Sequence, residues 1–458
     1  MINLNILFLQ GHEADKLNLF AGIANNLNND NITMLAFSSY EKSFYKKYTK
    51  HKIDFIPRLL SKISKDNLNE YKKYTEDELF DMSLFSNKFN ELNNWKVNAD
   101  YINNLVVIFL EYLHEKNKQS KIDTIVMWNN TMLFDRIAWH FCMKNNINYV
   151  MFEQGYFRPF TLTIDNKGVN YENSLPRDRK FYEDIVVDYD RLHQYLSKSE
   201  YLSKDDLINI NRDSKFKKLL FIIMDKLKAK FSSDFIDCTY NNESINEKIV
   251  RIVKKKNNIN THQEELPESY IFVPFQVHDD SQIILNSPNI RSMEELVEVV
   301  DKASKELYEL GRRDIYFVFK EHPVDLNRID YSGLKEKYKN NKQLVFLSSG
   351  NTNELINNSM AVITVNSTVG IEALMKSKKV ITLGNAFYNI EGIVEHCDEL
   401  DNLSKSIIKT LDNDFNQELV DKFLYYLRFD YQLEMNWRNP RNEDIKKIVA
   451  FIKNSKED

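Results

Sequence analysis

Along this chain, short β-branched runs alternate with stretches whose apolar residues recur at helical spacing, and that change of period defines the architecture before any single residue does. Residues 5–9 read as a buried strand, Leu17, Leu19, Phe20, Ile23 and Leu27 as one face of a helix, and 32–37 as the next strand, a βαβ opening. The alternation returns at 124–128 (strand), 133–144 (helix) and 148–152 (strand). It starts a third time at Tyr270, with strands at 270–274, 315–319, 363–365 and 380–383 and a helix from Met293 through Leu310. Between these series it fails. Residues 38–120 show mostly helical spacing, clearest from Tyr101 to Tyr112, and 186–265 are polar and helical. The pattern predicts an α/β protein with a first α/β domain over 1–185, a helical, lysine-rich insertion over 186–265, a second α/β domain over 266–430 and a C-terminal helical segment over 431–458.

Composition narrows the class. With 458 residues, 43% of them hydrophobic, the chain can fill two or three real cores. A formal net charge of -5 gives no overall basic field to recruit nucleic acid. Cys142, Cys238 and Cys397 are scattered, fit no zinc or redox spacing, and suggest a reducing compartment. No basic segment precedes the first apolar run and no run of eighteen apolar residues occurs, so a cytoplasmic protein is expected. Only 10 Gly and 8 Pro are present, and many of them (Gly155, Gly168, Gly370, Gly384, Gly392, Pro159, Pro176, Pro274, Pro323) collect in a few stretches that also carry chemistry. Either loops simply gather these residues, or the backbone there has a geometry that others cannot adopt.

Four stretches carry candidate chemistry. In 363–384 a strand stops at Asn366-Ser367-Thr368 and a helix follows, the arrangement in which free N–H groups and the helix dipole receive an anion. Gly370 is expected to let a ligand approach the backbone, and Glu372 to accept hydrogen bonds from sugar hydroxyls; the plainer alternative is an ordinary capped helix. In 152–178 a long, functionally mixed loop is expected to line a cleft, with Glu153 leaving a buried strand as base, acid or nucleophile and Arg158 and Arg177 holding an anionic group, unless Glu153 is merely paired with Arg158. The first βα loop, at Gln10-Gly11, is a ligand-binding position in such folds. The second series delivers Gln276, His278, Asp279, Asp280 and Ser281 after one strand and Lys320-Glu321-His322-Pro323 after the next, suiting a diphosphate or nucleoside monophosphate. Finally, Lys215, Lys217, Lys218, Lys226, Lys228 and Lys230 flank an apolar centre at 219–224, which suits either a helix lying on an anionic membrane or one packed on the protein with solvated lysines.

These motifs, in this order, resemble the KpsS-type capsule polysaccharide synthesis proteins and, more distantly, the KpsC type, β-Kdo glycosyltransferases of Gram-negative bacteria. The resemblance rests on LFLQG at 7–11, FEQGYFRP, GVN and SLPRD within 152–178, PFQVHDDSQI at 274–283, KEHP at 320–323, and NSTVGIEAL with LGNAFYNIEGI up to Ile393. It implies a GT-B-like fold in which 1–185 and 266–430 are two facing Rossmann-like domains and 431–458 packs back on the first. It also implies CMP-Kdo as donor and a lipid-linked acceptor of phosphatidylglycerol type at the cytoplasmic face of the inner membrane. A capsule synthesis and export complex is an implied partner. By similarity, His322, Pro323, Ser367 and Thr368 hold the nucleotide phosphate. From the residues themselves, Glu153, His322 and Asp280 are expected to be catalytic, His322 with Lys320 stabilising the departing CMP and Asp280 with Gln276 orienting sugar or acceptor, while Gln10, Gly11, Arg158, Ser281, Asn366 and Gly370 complete the binding set. Fixed cations and N–H groups can neutralise a monophosphate leaving group, so neither metal nor cofactor is expected. One departure stands out: Gln154 occupies the position where a second carboxylate beside Glu153 is expected, and an amide is neither nucleophile nor base, so the carboxylate for a retaining mechanism comes from Glu153 or from Asp279 and Asp280, or the chemistry differs from the family's. A different capsule glycosyltransferase using another CMP- or UDP-sugar, a sugar-nucleotide epimerase and a silent scaffold remain rival readings.

Overall fold

In the structure, a computed structural model, residues 3–9, 14–64, 68–95, 98–157, 161–198, 215–238, 266–326 and 328–454 are described. The chain forms two units that divide at Ser174–Leu175; helix Lys215–Phe231 and the chain from Tyr431 belong with the first unit, and helix Tyr189–Lys198 with the second.

The first unit is built on strands β1 (Asn5–Leu9), β2 (Asn31–Ala36), β3 (Lys52–Phe55), β4 (Thr124–Met127), β5 (Asn148–Gln154) and β6 (Thr161–Asp165), joined near the C-terminus by β13 (Leu433–Glu434). Their order, β13-β6-β5-β4-β1-β2-β3, has five parallel strands running 3-2-1-4-5, so the strand order reverses between β1 and β4. β1 shows why the sheet is central. Ile6 and Phe8 point into the core shared with helices Ala14–Asn26 and Asn442–Asn454, while Leu7 and Leu9 point into the opposite core with helix Ala99–Gln119. Burial on both faces demands the continuous apolar run that parallel strands display. The C-terminal residues add Trp437 against Trp128, with ring centroids 4.8 Å apart, and Ile445 against Gly22.

The second unit carries β7 (Tyr270–Pro274), β8 (Tyr316–Lys320), β9 (Leu344–Leu347), β10 (Ala361–Thr364), β11 (Lys379–Thr382) and β12 (Glu395–His396), every pair parallel, in the order β12-β11-β10-β7-β8-β9. Renumbered within the unit this is 3-2-1-4-5-6, with the reversal between β7 and β10. Helix Met293–Glu309 seals one face through Leu296, Val297, Val300 and Leu307. Both units are thus Rossmann-like, and the α/β class read from the sequence is the one observed.

Residues 152–178 are not the single loop that their mixed composition suggested. β5 continues through Glu153 and Gln154, and β6 returns antiparallel to it, pairing Glu153 with Thr163 and Gln154 with Leu162. The Gly155 amide donates to the Thr161 carbonyl at 2.9 Å, and a Cβ on Gly155 would lie 2.5 Å from that carbonyl carbon, so only glycine fits there.

Candidate functional site

Open α/β sheets bind ligands outside the carboxyl ends of their strands, where the order reverses. In the second unit that point lies between β7 and β10, and two amides span it. Gln276 Nε2 donates to Asn366 Oδ1, and the Asn366 amide donates to Gln276 Oε1, both at 3.1 Å. Asn366 Nδ2 also donates to the carbonyls of Gln282 and Asn286, tying down helix Ser281–Asn286. Gln276 and Asn366 are buried and mutually satisfied, so they form the floor of the crevice. Asp280 caps the same short helix, its Oδ1 accepting from the Gln282 amide at 2.9 Å, and Ser281 opens it.

β8 brings the charge. Lys320, the strand's last residue, is 6% exposed and makes no ion pair within 4 Å among the described residues. Burial lowers its pKa below the ordinary lysine value, an effect partly offset by the negative charge of Glu372. A buried ammonium without a carboxylate in contact is unfavourable on its own, and an anion nearby would offset that cost. Glu321 is otherwise engaged: it pairs with Lys335 at 2.7 Å and accepts from Ser348. His322 Nδ1 accepts the Val324 amide at 3.1 Å, so in the neutral ring Nε2 carries the proton, a donor suited to an anionic oxygen. Pro323 beside it is exposed.

The polar turn after β10 differs from a simple helix N-terminus. The helix that follows, Val369–Leu374, has only six residues. Within the turn the amides of Ser367, Val369, Gly370 and Ile371 already donate to Thr364 Oγ1, Ser367 Oγ, the Ser367 carbonyl and the Thr368 carbonyl. What the turn presents is therefore the Thr368 amide and the two half-buried hydroxyl side chains, not a full crown of N–H groups. Gly370 does not open the backbone to a ligand. The space a Cβ would occupy is filled by the buried Tyr388 phenol, whose hydroxyl donates to the Ser367 carbonyl and braces the turn.

A different set of groups gathers in the first unit. Glu153 is half-buried, with Oε1 accepting its neighbour Gln154's amide at 2.8 Å and Oε2 accepting Asn129 Nδ2 at 3.0 Å. Asn129 sits at φ 62°, in the left-handed region that asparagine tolerates, and its Oδ1 accepts from the Thr131 amide. The next residue, Asn130, donates to the Glu172 carboxylate, which also lies 3.6 Å from the Arg136 guanidinium. Arg136 makes two 2.8 Å bonds to Asp81, and His140 adds a third at 2.6 Å. Burial alone would raise the Asp81 pKa, but these two partners outweigh it and bring it down to about 2. One dipeptide after β4 therefore holds two carboxylates. Gln10, Gly11 and Arg158 lie outside the described residues. Arg177 donates to the Phe387 carbonyl, joining the SLPRD and AFYN motifs.

Three features carried little sequence signal. Asp325, fully buried, grips His278 at both its amide (2.8 Å) and its Nδ1 (2.9 Å), while Asp279 pairs with Arg328 at 2.5 Å, so the loops after β7 and β8 are bolted together. Asn129 and Asn130 looked like a plain polar turn. Asp165 accepts from the Lys167, Gly168 and Ser174 amides and from the hydroxyls of Ser174 and Tyr431, organising the segment behind Glu172. All three depend on contacts that sequence spacing cannot reveal.

Two Rossmann-like units with polar groups at the carboxyl ends of their strands define the class. The chain belongs to the capsule polysaccharide biosynthesis protein family, which it matches over residues 123–426. It is 28% identical over 302 residues to Protein FixF of Sinorhizobium fredii, covering 66% of this chain and 58% of that protein. It is 26% identical over 298 residues to the capsule polysaccharide export protein KpsS of Escherichia coli, covering 62% of this chain and 73% of that one. Among solved structures, the Thermosulfurimonas dismutans KpsC β-Kdo 2,7 transferase aligns with 76% of this chain and 90% of its own length, at 16% identity and a TM-score of 0.35.

Proposed function

We propose that this protein is a glycosyltransferase of capsule polysaccharide biosynthesis that transfers Kdo from CMP-Kdo to a lipid-linked acceptor, working without a metal at the cytoplasmic face of the inner membrane. The observation that supports this reading is Lys320: a largely buried lysine at the strand end beside the switch point, with no described carboxylate within ion-pairing distance, is suited to receive an anion. The leaving CMP phosphate takes Lys320 as counter-charge and the His322 Nε2–H and the Thr368 amide and hydroxyl as donors. Glu153, fixed by Asn129 and by the Gln154 amide, accepts the proton of the attacking hydroxyl as the bond from the anomeric carbon to the CMP phosphate oxygen breaks and the bond to the acceptor oxygen forms. Gln154 then needs no charge of its own, because its backbone N–H orients Glu153. Asp280 and Gln276 act by shaping the crevice, and Glu372 tunes Lys320 while accepting from sugar hydroxyls.

The test is direct. Purified protein is incubated with CMP-Kdo, CMP-sialic acid, UDP-sugars and a phosphatidylglycerol-linked acceptor, and products are read by mass spectrometry. Addition of one Kdo mass to the acceptor is expected. Transfer from a UDP-sugar alone would replace the donor, and binding of nucleotide without any turnover would favour a silent scaffold.

A further inference from the structure

Helix Lys215–Phe231 packs on the first unit by one face only. Phe221 meets Tyr40 at 6.0 Å between ring centroids, Asp225 accepts from the Ser39 amide at 2.7 Å, and Lys228 reaches the Ser39 hydroxyl at 3.1 Å. The residues at 221, 225 and 228 are thereby turned inward against helix Ser39–Tyr48. A neighbouring face is left to solvent. Leu220, Met224, Leu227 and Phe231 are 46%, 48%, 51% and 77% exposed, and their spacing of four, three and four residues puts them in one line down the helix. A row of four large apolar side chains is not how a solvated helix is built, since exposed apolar residues normally occur singly.

Charge surrounds this row. Lys217 and Lys230 are exposed beside it, Lys226 is half-buried on the flank, and Asp225, the helix's one acidic residue, is turned inward and used by Ser39. On the packed side, burial and then Lys46, Arg58 and Lys228 push the Lys42 ammonium below its ordinary value, while the exposed carboxylate of Asp234 interacts with Arg58 and Lys62. Among the described residues no helix is long and apolar enough to cross a bilayer.

We propose that helix Lys215–Phe231 is a membrane-docking element that lies in the plane of an anionic lipid surface, with Leu220, Met224, Leu227 and Phe231 inserted among the acyl chains and the lysines on the headgroups. An apolar stripe bordered by lysines matches such a surface in both polarity and charge. A protein partner would need an acidic groove, and a second copy of this chain would bring the same lysines together. The inference stands independently of the sugar donor and of the catalytic residues.

The test uses the whole protein and sucrose-loaded vesicles of phosphatidylcholine with or without 30 mol% phosphatidylglycerol. Wild type is expected to sediment with the anionic vesicles and not with the neutral ones. Converting Lys217, Lys226 and Lys230 to Gln should weaken partitioning by roughly fivefold per lysine. Leu220→Asn with Leu227→Asn, at unchanged circular dichroism, should weaken it by about tenfold or more. A Phe231→Trp variant should show blue-shifted emission on vesicle binding, a readout of insertion that mere electrostatic adhesion would not give. Failure of wild type to bind anionic vesicles at low salt would overturn the proposal, as would full binding by the double Asn variant. Concentration-dependent dimerisation abolished by the same variant would overturn it in favour of a self-interface.

Discussion

The two units share a strand order and differ in the sign of what they hold at its carboxyl end. After β4 and β5 the first unit presents carboxylates, Glu153 and Glu172, each fixed by an asparagine of one turn. After β8 and β10 the second unit presents a buried cation, an imidazole N–H and hydroxyls. The topology fixes where a site lies, and the side chains that end the strands decide which charge it serves. The transfer proposed above assigns one sign to each unit: a base for the entering hydroxyl to the first and a receptor for the departing phosphate to the second. That division of labour can be broken from either side.

The largest effect is expected at Glu153. Glu153→Gln keeps the shape and removes the base, so turnover should fall by two or more orders of magnitude, about 2.7 kcal/mol or more on the barrier, with CMP affinity and melting temperature nearly unchanged. Steady-state transfer kinetics checks this, and a variant retaining most of its turnover would remove Glu153 from the chemistry.

Next comes Lys320→Met. Losing a charge-assisted contact to phosphate should weaken CMP binding by about 1.5–3 kcal/mol, tenfold or more, yet the free protein should not lose stability, because an ill-paired buried ammonium has gone. The pH dependence follows from the sign of the shift. Burial lowers the folded-state pKa of Lys320, so the folded chain binds fewer protons than the unfolded one in the alkaline range. The penalty is complete below the folded pKa and disappears as pH rises towards the unfolded value of about 10.4. The stability advantage of Lys320→Met should therefore shrink as pH rises, as thermal melts would show; a variant that is less stable at neutral pH would make Lys320 a structural residue.

In the first unit the frame behind the carboxylates is itself electrostatic. The Asp81 pKa, near 2, lies below its unfolded value, so its contribution is present above about pH 4 and lost as pH falls towards 2. Asp81→Asn should lower stability by about 2 kcal/mol at pH 7 and flatten that part of the acid-unfolding profile. Equal acid sensitivity in variant and wild type would show that Arg136 and His140 do not depend on this pairing. The smallest effect is expected for Thr368→Val, which removes one hydroxyl from the turn and should weaken CMP binding by about 1 kcal/mol.

Much of the scaffold was legible because parallel strands buried on both faces need uninterrupted apolar runs: 5–9 and 270–274 match β1 and β7 residue for residue. β3, with Asp54 buried against Tyr112 and Lys116, and β9, a four-residue run beside a lysine-rich turn, lacked that signal. β6 was hidden for another reason, since its pairing is set by Gly155 and Thr161 across a hairpin inside a motif-rich stretch. The candidate residues themselves were legible by type and position at strand ends. Their state was not: that Gln276 and Asn366 satisfy each other, that Tyr388 fills the space beside Gly370, and that Lys320 is buried away from carboxylates are facts of long-range packing.

The division of labour between the units is tested most directly by titrating CMP calorimetrically into wild type, Lys320→Met and Glu153→Gln under identical conditions. CMP should bind wild type and Glu153→Gln with the same affinity and Lys320→Met at least tenfold more weakly. Equal affinity in all three, or a loss confined to Glu153→Gln, would contradict the assignment of the phosphate receptor to the second unit and of the base to the first.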